Sequence, residues 1–373
     1  MAKLLETNAV IAHEAIHRLS VSGLAPLDFL KEVAMRVGSV MRYDAGAWLT
    51  LDPATLIQTR AFIQGPGHDW GDVHLRYIDN ELSTPDFTKM TDVARLSRPV
   101  ITLSDATDGN LSRSTRHRTI HADLGIAHEL RAVFRTGEST WGAAAVCRNQ
   151  GQPDFSEAEK SFMADVSQHI GNGLRLALLL ETATRAGGRD VPGVIIMHAD
   201  DTVESITPEA EEWLAQIPRD EGANFALPAA IHIAAWKARA VAAGLPTTSA
   251  LARIRLTSGR WLLVRASQLQ NSGSGAERTA VILEPARAAE LAPIIVELYE
   301  LSARERQVTE LLLRGLPIDE IAAALWISRY TVRDYTKAIF AKLGVGSRPE
   351  LTAKLFHDHY LSAIDYAPGR PAG

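Results

Sequence analysis

Arg329, Arg333 and Lys337 recur every four residues, a spacing that lines them up on one stripe of an α-helix. Tyr330, Thr331 and Asp334 flank the stripe, while Val332, Ile339 and Leu343 fall on the opposite side, where a core would take them. Such a helix has the chemistry for a DNA major groove: a guanidinium can fork onto the two acceptors of a guanine edge, and other cations can meet phosphate oxygens. A solvated basic face on an ordinary helical domain would carry the same charges. The elements around the stripe decide between the two.

Ser328 is a natural N-cap for this helix, which runs to about Leu343 and stops at Gly344. A short helix precedes it, starting near Pro317 with Asp319 and Glu320 in its first turn and Ile318, Ile321, Ala322 and Leu325 on its inner face. The few residues between the two helices and the small Ala322 are helix-turn-helix features, which a merely charged face does not need. A first helix starts at Ser302 with Glu305 three residues on, carries Val308, Leu311 and Leu312, and ends at Gly315. A fourth is capped by Ser347 with Glu350 and buries Leu351 and Leu355. Charge supports the division: the chain is −5 overall, but the segment from Leu301 to Tyr360 holds 9 Lys/Arg against 7 Asp/Glu. From Trp326 to Arg348 the only acid is Asp334, set against Arg329, Arg333, Lys337, Lys342 and Arg348.

This segment resembles the LuxR-type helix-turn-helix of bacterial transcription factors. The resemblance rests on Leu301-Ser302-x-Arg304-Glu305-x-x-Val308, Gly315-Leu316, Glu320-Ile321-Ala322-x-x-Leu325, Ile327-Ser328-x-x-Thr331-Val332-Arg333, Ile339-Phe340-x-Lys342-Leu343-Gly344-Val345 and Ser347-Arg348-x-Glu350-Leu351. It implies a four-helix head that binds double-stranded DNA as a homodimer, with Arg329 to Leu343 as recognition helix and the helix near Leu351 as a dimer contact. Ser328, Arg329, Tyr330, Thr331, Arg333, Asp334, Lys337, Lys342 and Arg348 are then the expected DNA-contacting residues. The sequence departs from the pattern at Pro317 and Asp319, where polar or basic residues are commoner, and at Tyr335, where a histidine is frequent.

The remaining length, in a chain of 373 residues, calls for one or two further domains. Helical spacing in Val10 to Val37, strand patterns at 47–51, 56–63, 129–136 and 141–148, and a capped helix from Ser156 carrying Phe162, Val166, Ile170 and Leu174 define a module over 1–183. Strand patterns at 193–198, 251–257, 261–267 and 279–284, with short helices at 208–214 and 229–243, define another over 190–285. Residues 286–300 read as a helical connector, 301–360 as the head and 361–373 as a tail. By element order and the segment Phe155-Ser156-Glu157-x-Glu159 the module over 1–183 resembles a GAF sensor domain; that over 190–285 resembles a PAS domain. The expected fold class is therefore α+β multidomain: a GAF-like α/β sensor, a PAS-like α/β module and an all-α four-helix LuxR-type head.

The GAF resemblance implies a small-molecule site, for which Trp48, Phe62, Trp70, Tyr77 and Trp141 are the candidate ligand-binding residues; large aromatics are as readily core. Arg113, Arg116 and Arg118 read as an exposed basic loop or as an anion contact. His117 and His121 could share a helix face, but no clustered ligands accompany them, and no metal or cofactor is expected. The single cysteine, Cys147, forms no internal disulfide and reads as a small buried residue. No phosphate loop, G-x-S-x-G elbow, H-E-x-x-H or dinucleotide fingerprint is present, so an enzyme is not expected. No apolar run nears the roughly 18 residues of a membrane span, and the start lacks a secretion signal, so a cytoplasmic protein is expected. The signal remains open between a small effector and a partner. The competing reading is a non-catalytic sensor or scaffold whose C-terminal helices bind protein.

Overall fold

The computed structural model describes residues 2–65, 70–181, 191–222, 226–245, 249–269, 277–286, 290, 294, 297–299 and 301–351. The expected linker at 184–189, most of the connector and of the 270–277 loop, Leu355 and the tail lie outside the described residues. Two antiparallel five-stranded sheets and a helical head make up what is described.

The first sheet comprises β1 (Ala45–Leu51), β2 (Gln58–Gln64), β3 (Val100–Thr102), β4 (Ile126–Thr136) and β5 (Ser139–Asn149), in the order β2-β1-β5-β4-β3. Side chains alternate across it. Trp48, Leu130, Ala132, Phe134, Ala144 and Val146 pack beneath the helices α1 (Ala2–Leu19) and α2 (Pro26–Val40) and the long helix of the Ser156 segment, while Leu49, Leu51, Ala61, Ile63 and Val133 face the other way. On that opposite face lies α3 (Trp70–Ser83), followed by the short helices α4 (Met90–Val93), α5 (Leu103–Ala106) and α6 (Ala122–Leu124). The Ser156 segment forms α7 (Glu157–Glu181); Ser156 N donates to the Glu159 carboxylate at 2.8 Å, and Phe162, Val166, Ile170 and Leu174 are all buried. The apolar stripe of α7 therefore packs on the sheet and on α1 and α2.

The second sheet repeats the same order one unit later: β6 (Gly193–His198), β7 (Val203–Ile206), β8 (Leu251–Arg255), β9 (Trp261–Gln268) and β10 (Arg278–Pro285) run β7-β6-β10-β9-β8. Thr207 caps α8 (Pro208–Leu214), accepting from Ala210 N at 3.3 Å. Helix α9 (Ala229–Ala242) is apolar nearly all round, the pattern of a helix covered on every side. One side lies on β9 and β10 and the other on α3 and β2 of the first unit.

The two units are also joined through backbone. Strand β2 is an edge of its sheet, and 220–222 pairs along it: Ile63 N donates to Glu221 O and Glu221 N to Ala61 O, both at 2.8 Å. Covering an edge in this way removes a row of unpaired backbone groups. Gly222 makes the approach possible, because it has φ +80° and a Cβ there would stand 1.7 Å from Ile63 O. Asp52 of the first unit pairs with Arg253 of the second at 3.0 Å, both buried.

The head has helices α10 (Ala303–Leu313), α11 (Ile318–Leu325) and α12 (Arg329–Leu343) around buried Val308, Leu312, Ile321, Val332, Ile339, Leu343 and Leu351. Both halves of the Ser302–Glu305 capping box are present.

Candidate nucleic-acid interface and candidate ligand cavity

Helix α12 is set by its two ends. Ser328 Oγ accepts from Thr331 N at 3.0 Å at the start, and Gly344 adopts the left-handed conformation, φ +63°, at the stop. The turn before it is tight because Trp326 itself takes φ +57°, which lets Ile327 N reach back to Ala322 O at 3.1 Å. Val332, Ile339 and Leu343 are buried, as their spacing requires; Ser328, Arg329, Tyr330, Arg333, Asp334 and Lys337 are exposed along the outer face, with Thr331 half-buried beside them. Tyr330 is 77% and Trp326 94% exposed. Arg329 pairs with Asp319 across the turn, an exposed ion pair.

Lys342 and Arg348 are placed differently from the rest. Arg348 turns inward, donating from Nε to Leu312 O at 3.0 Å and from Nη1 to Leu316 O at 2.8 Å, so it satisfies a carbonyl of the last turn of α10 and one of the turn that follows. Lys342 reaches Glu305 at 2.6 Å and so ties α12 to the capping box of α10. Burial alone would raise the Glu305 carboxyl, but Lys342 and the Ser302 hydrogen bonds outweigh it and hold it below the usual carboxylate range. These two cations tie the end of α12 and the turn after it to α10; the N-terminal two-thirds of α12 carries the exposed basic stripe. The head is in turn seated on the first unit: Arg175 of α7 donates to Leu298 O at 2.7 Å, and Leu298 and Leu301 belong to one apolar cluster with the cores of the first unit and of the head.

A cavity of about 800 Å³ lies between the outer face of the first sheet and α3. Of the five aromatic candidates, Trp70 and Tyr77 line it. Trp48, Phe62 and Trp141 sit in or against the core beneath the helices, on the opposite face of the sheet, with Trp48 stacked on Phe134 at 6.0 Å. Even-numbered β1 residues point to the helices and odd-numbered ones to the cavity, so Ala45, Ala47, Leu49 and Leu51 form its floor. Gln58, which sequence reasoning did not single out, also lines it. Its carbonyl pairs with the His74 ring at 2.9 Å, while its amide nitrogen is buried without a hydrogen-bond partner.

Beside the cavity lies a buried charge network. Arg116 is fully buried rather than part of an exposed loop: it donates to Glu129 (2.7 Å), Asn80 (3.1 Å) and Thr88 (2.7 Å). Arg131 reaches the other Glu129 oxygen at 3.1 Å and Glu81 at 2.6 Å. Burial alone would raise the Glu129 carboxyl, but the two guanidiniums hold it far below the usual range. Glu129 pairs across the strands with Cys147, and His121, from the segment before β4, completes a group whose donor atoms lie within 4.8 Å of one another. In this arrangement both carboxylate oxygens accept from arginines. Arg113, by contrast, is partly exposed and pairs with Asp108 at 2.8 Å.

Burial pushes His121 down to about 4 and His74 to about 4. A histidine held neutral in the fold stabilises above its unfolded value near 6.5, and that contribution is lost as pH falls toward 4. Asp220, pushed up to about 6 by burial, acts in the opposite sense over part of that window, so the histidine contribution is read as a difference between proteins. Urea unfolding between pH 7 and 4.5 should show His121→Leu losing about 1 to 3 kcal/mol less stability than the unsubstituted chain; parallel pH profiles would contradict it.

Residues 299–355 match the family described as bacterial regulatory proteins, luxR family. A curated Aeromonas salmonicida protein, provisionally described as an HTH-type transcriptional regulator in the exeN 3′ region, is 51% identical over 63 residues, 17% of this chain and 32% of that one. The chain thus spans about a third of the length of that relative. Among solved structures, the GAF domain from Acinetobacter phosphoenolpyruvate-protein phosphotransferase is similar with TM-score 0.30 and 15% identity, over 44% of this chain and 91% of that one. The Vibrio cholerae VqmA dimer, described among LuxR-type receptors, is similar with TM-score 0.21 and 18% identity, over 47% and 86%. No helix among the described residues is long and apolar enough to cross a membrane.

Proposed function

Because the chain carries a luxR-family helix-turn-helix head, we propose that it is a sequence-specific, one-component transcriptional regulator, controlled by a small ligand or a partner at the module over 1–183. It acts as a cytoplasmic homodimer on a two-fold-related DNA site, and its chemistry is binding rather than catalysis. The observation that carries this reading is the exposed Arg329–Arg333–Lys337 stripe on a capped helix, held by a tight turn and backed by a buried apolar face. Arg333 is the base reader and Lys337 the phosphate contact. A ligand shifts the head only if it binds two arrangements of the chain with different affinity; the seat of Leu298 and Leu301 against α7 is where such a shift is transmitted.

Fluorescence anisotropy of the full chain against a genomic DNA pool, across a salt series, tests it. Lys337→Ala should lower the log–log salt slope by about one for each head bound and weaken all sequences alike, while Arg333→Ala should cost about 1 to 3 kcal/mol on preferred sequences only. Absence of DNA binding, with or without added effectors, overturns the reading. The exposed aromatics Trp326 and Tyr330 would then favour the alternative, in which the head is a protein-binding surface.

A further inference from the structure

The roughly 800 Å³ cavity of the first unit is closed partly by the second: Ile233 and Lys237 of α9, and Leu245 just after it, line the same space as Ala47, Ala145 and Gln58 of the first sheet and its edge. That volume falls within the range of small-molecule sites, and its walls are mostly apolar. Each unit brings a buried donor to it, Gln58 from the first and Lys237 from the second. The Gln58 amide nitrogen lies on a side chain 5% exposed and has no hydrogen-bond partner, a rare state for a buried donor. The Lys237 ammonium, on a residue 4% exposed, stands over the Thr55 carbonyl at 3.3 Å. The acids that line the cavity are engaged: Glu81 with Arg131, Asp86 with Asn80 and Asp92 with Arg95.

We propose that this cavity binds a small, largely apolar organic acid, whose anionic group is received by Gln58 and Lys237 and whose body bridges the first sheet and α9. This deepens the ligand-controlled reading above by naming the ligand class, and it is tested without DNA, so its failure would leave the DNA-binding reading standing. Burial pushes the Lys237 amine down to about 8, and an anion beside it favours the charged form and gains a charge-assisted hydrogen bond. Because the ligand would touch α9 as well as the sheet, it would strengthen the join between the two units. A ligand held by the first sheet and α3 alone would leave that join as it was.

The probes are two fluorescent dyes that share a ring system: 8-anilinonaphthalene-1-sulfonate, which is anionic, and N-phenyl-1-naphthylamine, which is neutral. With the full chain, both dyes should bind one per chain. Ala145→Leu, which places a side chain in the space, should weaken both about tenfold or more. Lys237→Met should weaken the anionic dye about tenfold, the effect of about one charge-assisted contact, and leave the neutral dye within about twofold. The anionic dye should also slow hydrogen exchange across Ala229–Ala242 as well as across Trp70–Ser83. Lys237→Gln, which keeps a donor without the charge, should match Lys237→Met in dye selectivity, and a cooperative melt for each variant separates lost binding from lost folding. The proposal is overturned by absence of binding, by equal losses for the two dyes in the Lys237 variants, by binding that survives Ala145→Leu, or by protection confined to the first unit.

Discussion

Arg116→Met is expected to lower the unfolding free energy of the chain by about 3 to 5 kcal/mol, the usual consequence of stranding one member of a buried ion pair. Arg116 and Glu129 are both fully enclosed, and the guanidinium also holds Asn80 of α3, the Phe87 carbonyl at 3.1 Å and the Thr88 hydroxyl. Its removal leaves Glu129 buried beside Arg131 alone and frees three acceptors on the segment that walls the cavity. The sign with pH distinguishes this from lost packing. Glu129 is held far below the usual carboxylate range in the intact network; with half the positive charge gone its folded value rises, and protonation then relieves the strain. The deficit measured by urea unfolding should accordingly shrink between pH 7 and 5. The double variant Arg116→Met/Glu129→Leu should recover much of the loss, since replacing both partners leaves no unpaired charge. An equal deficit at both pH values, with no recovery in the double variant, would mean that the pair contributes only volume.

Replacing Arg329, Arg333 and Lys337 together by alanine is expected to weaken DNA binding about 10² to 10³-fold at moderate salt and to flatten the salt dependence by up to about 0.9 for each cation withdrawn from a phosphate on each head. All three side chains are exposed, so stability should stay within about 0.5 kcal/mol. Arg329 will contribute least: it must leave Asp319 to reach DNA, although an exposed pair of this kind holds it by no more than about 1 kcal/mol. Filter binding across a salt series, with a thermal melt of each protein alongside, separates the outcomes. Unchanged affinity would remove α12 from the DNA interface. Reduced affinity together with a lowered melt would make the stripe a structural feature.

The head was legible in the sequence because its determinants are local. A helix end is fixed by a side chain three residues away, as at Ser302–Glu305, Ser328–Thr331 and Ser347–Glu350, and a core stripe by residues three and four apart. Eight of the ten strands and the long helix after Ser156 were legible for the same reason. The helix at 70–83 was not anticipated, because it buries Val73, His74, Ile78 and Asn80 rather than a plain apolar stripe. Strands β3 and β7, of three and four residues, are too short to show a period.

Composition showed the cations of the head but not their duties: Lys342 and Arg348 have the same charge as Arg333, and only packing sets Lys342 against Glu305 and turns Arg348 to the Leu312 and Leu316 carbonyls. The aromatic candidates divided in the same way, since which face of a sheet a tryptophan occupies depends on strand register and on which face the helices cover. Glu129 meets Cys147 only when β4 pairs with β5, and Arg116 and His121 join them only when the segment before β4 packs over that strand. Helix α9 shows the boundary most plainly. Its all-round apolar sequence already requires cover on every side, but that the cover is a sheet of its own unit on one side and α3 with β2 on the other is a long-range arrangement, and no spacing within fourteen residues encodes it. The sequence by itself thus determined the helix-turn-helix head and its basic stripe, which short-range capping and periodicity specify. Tertiary structure decided the cavity, the buried charge network and the join between the two units, because each depends on side chains that chain distance keeps apart until the sheets form.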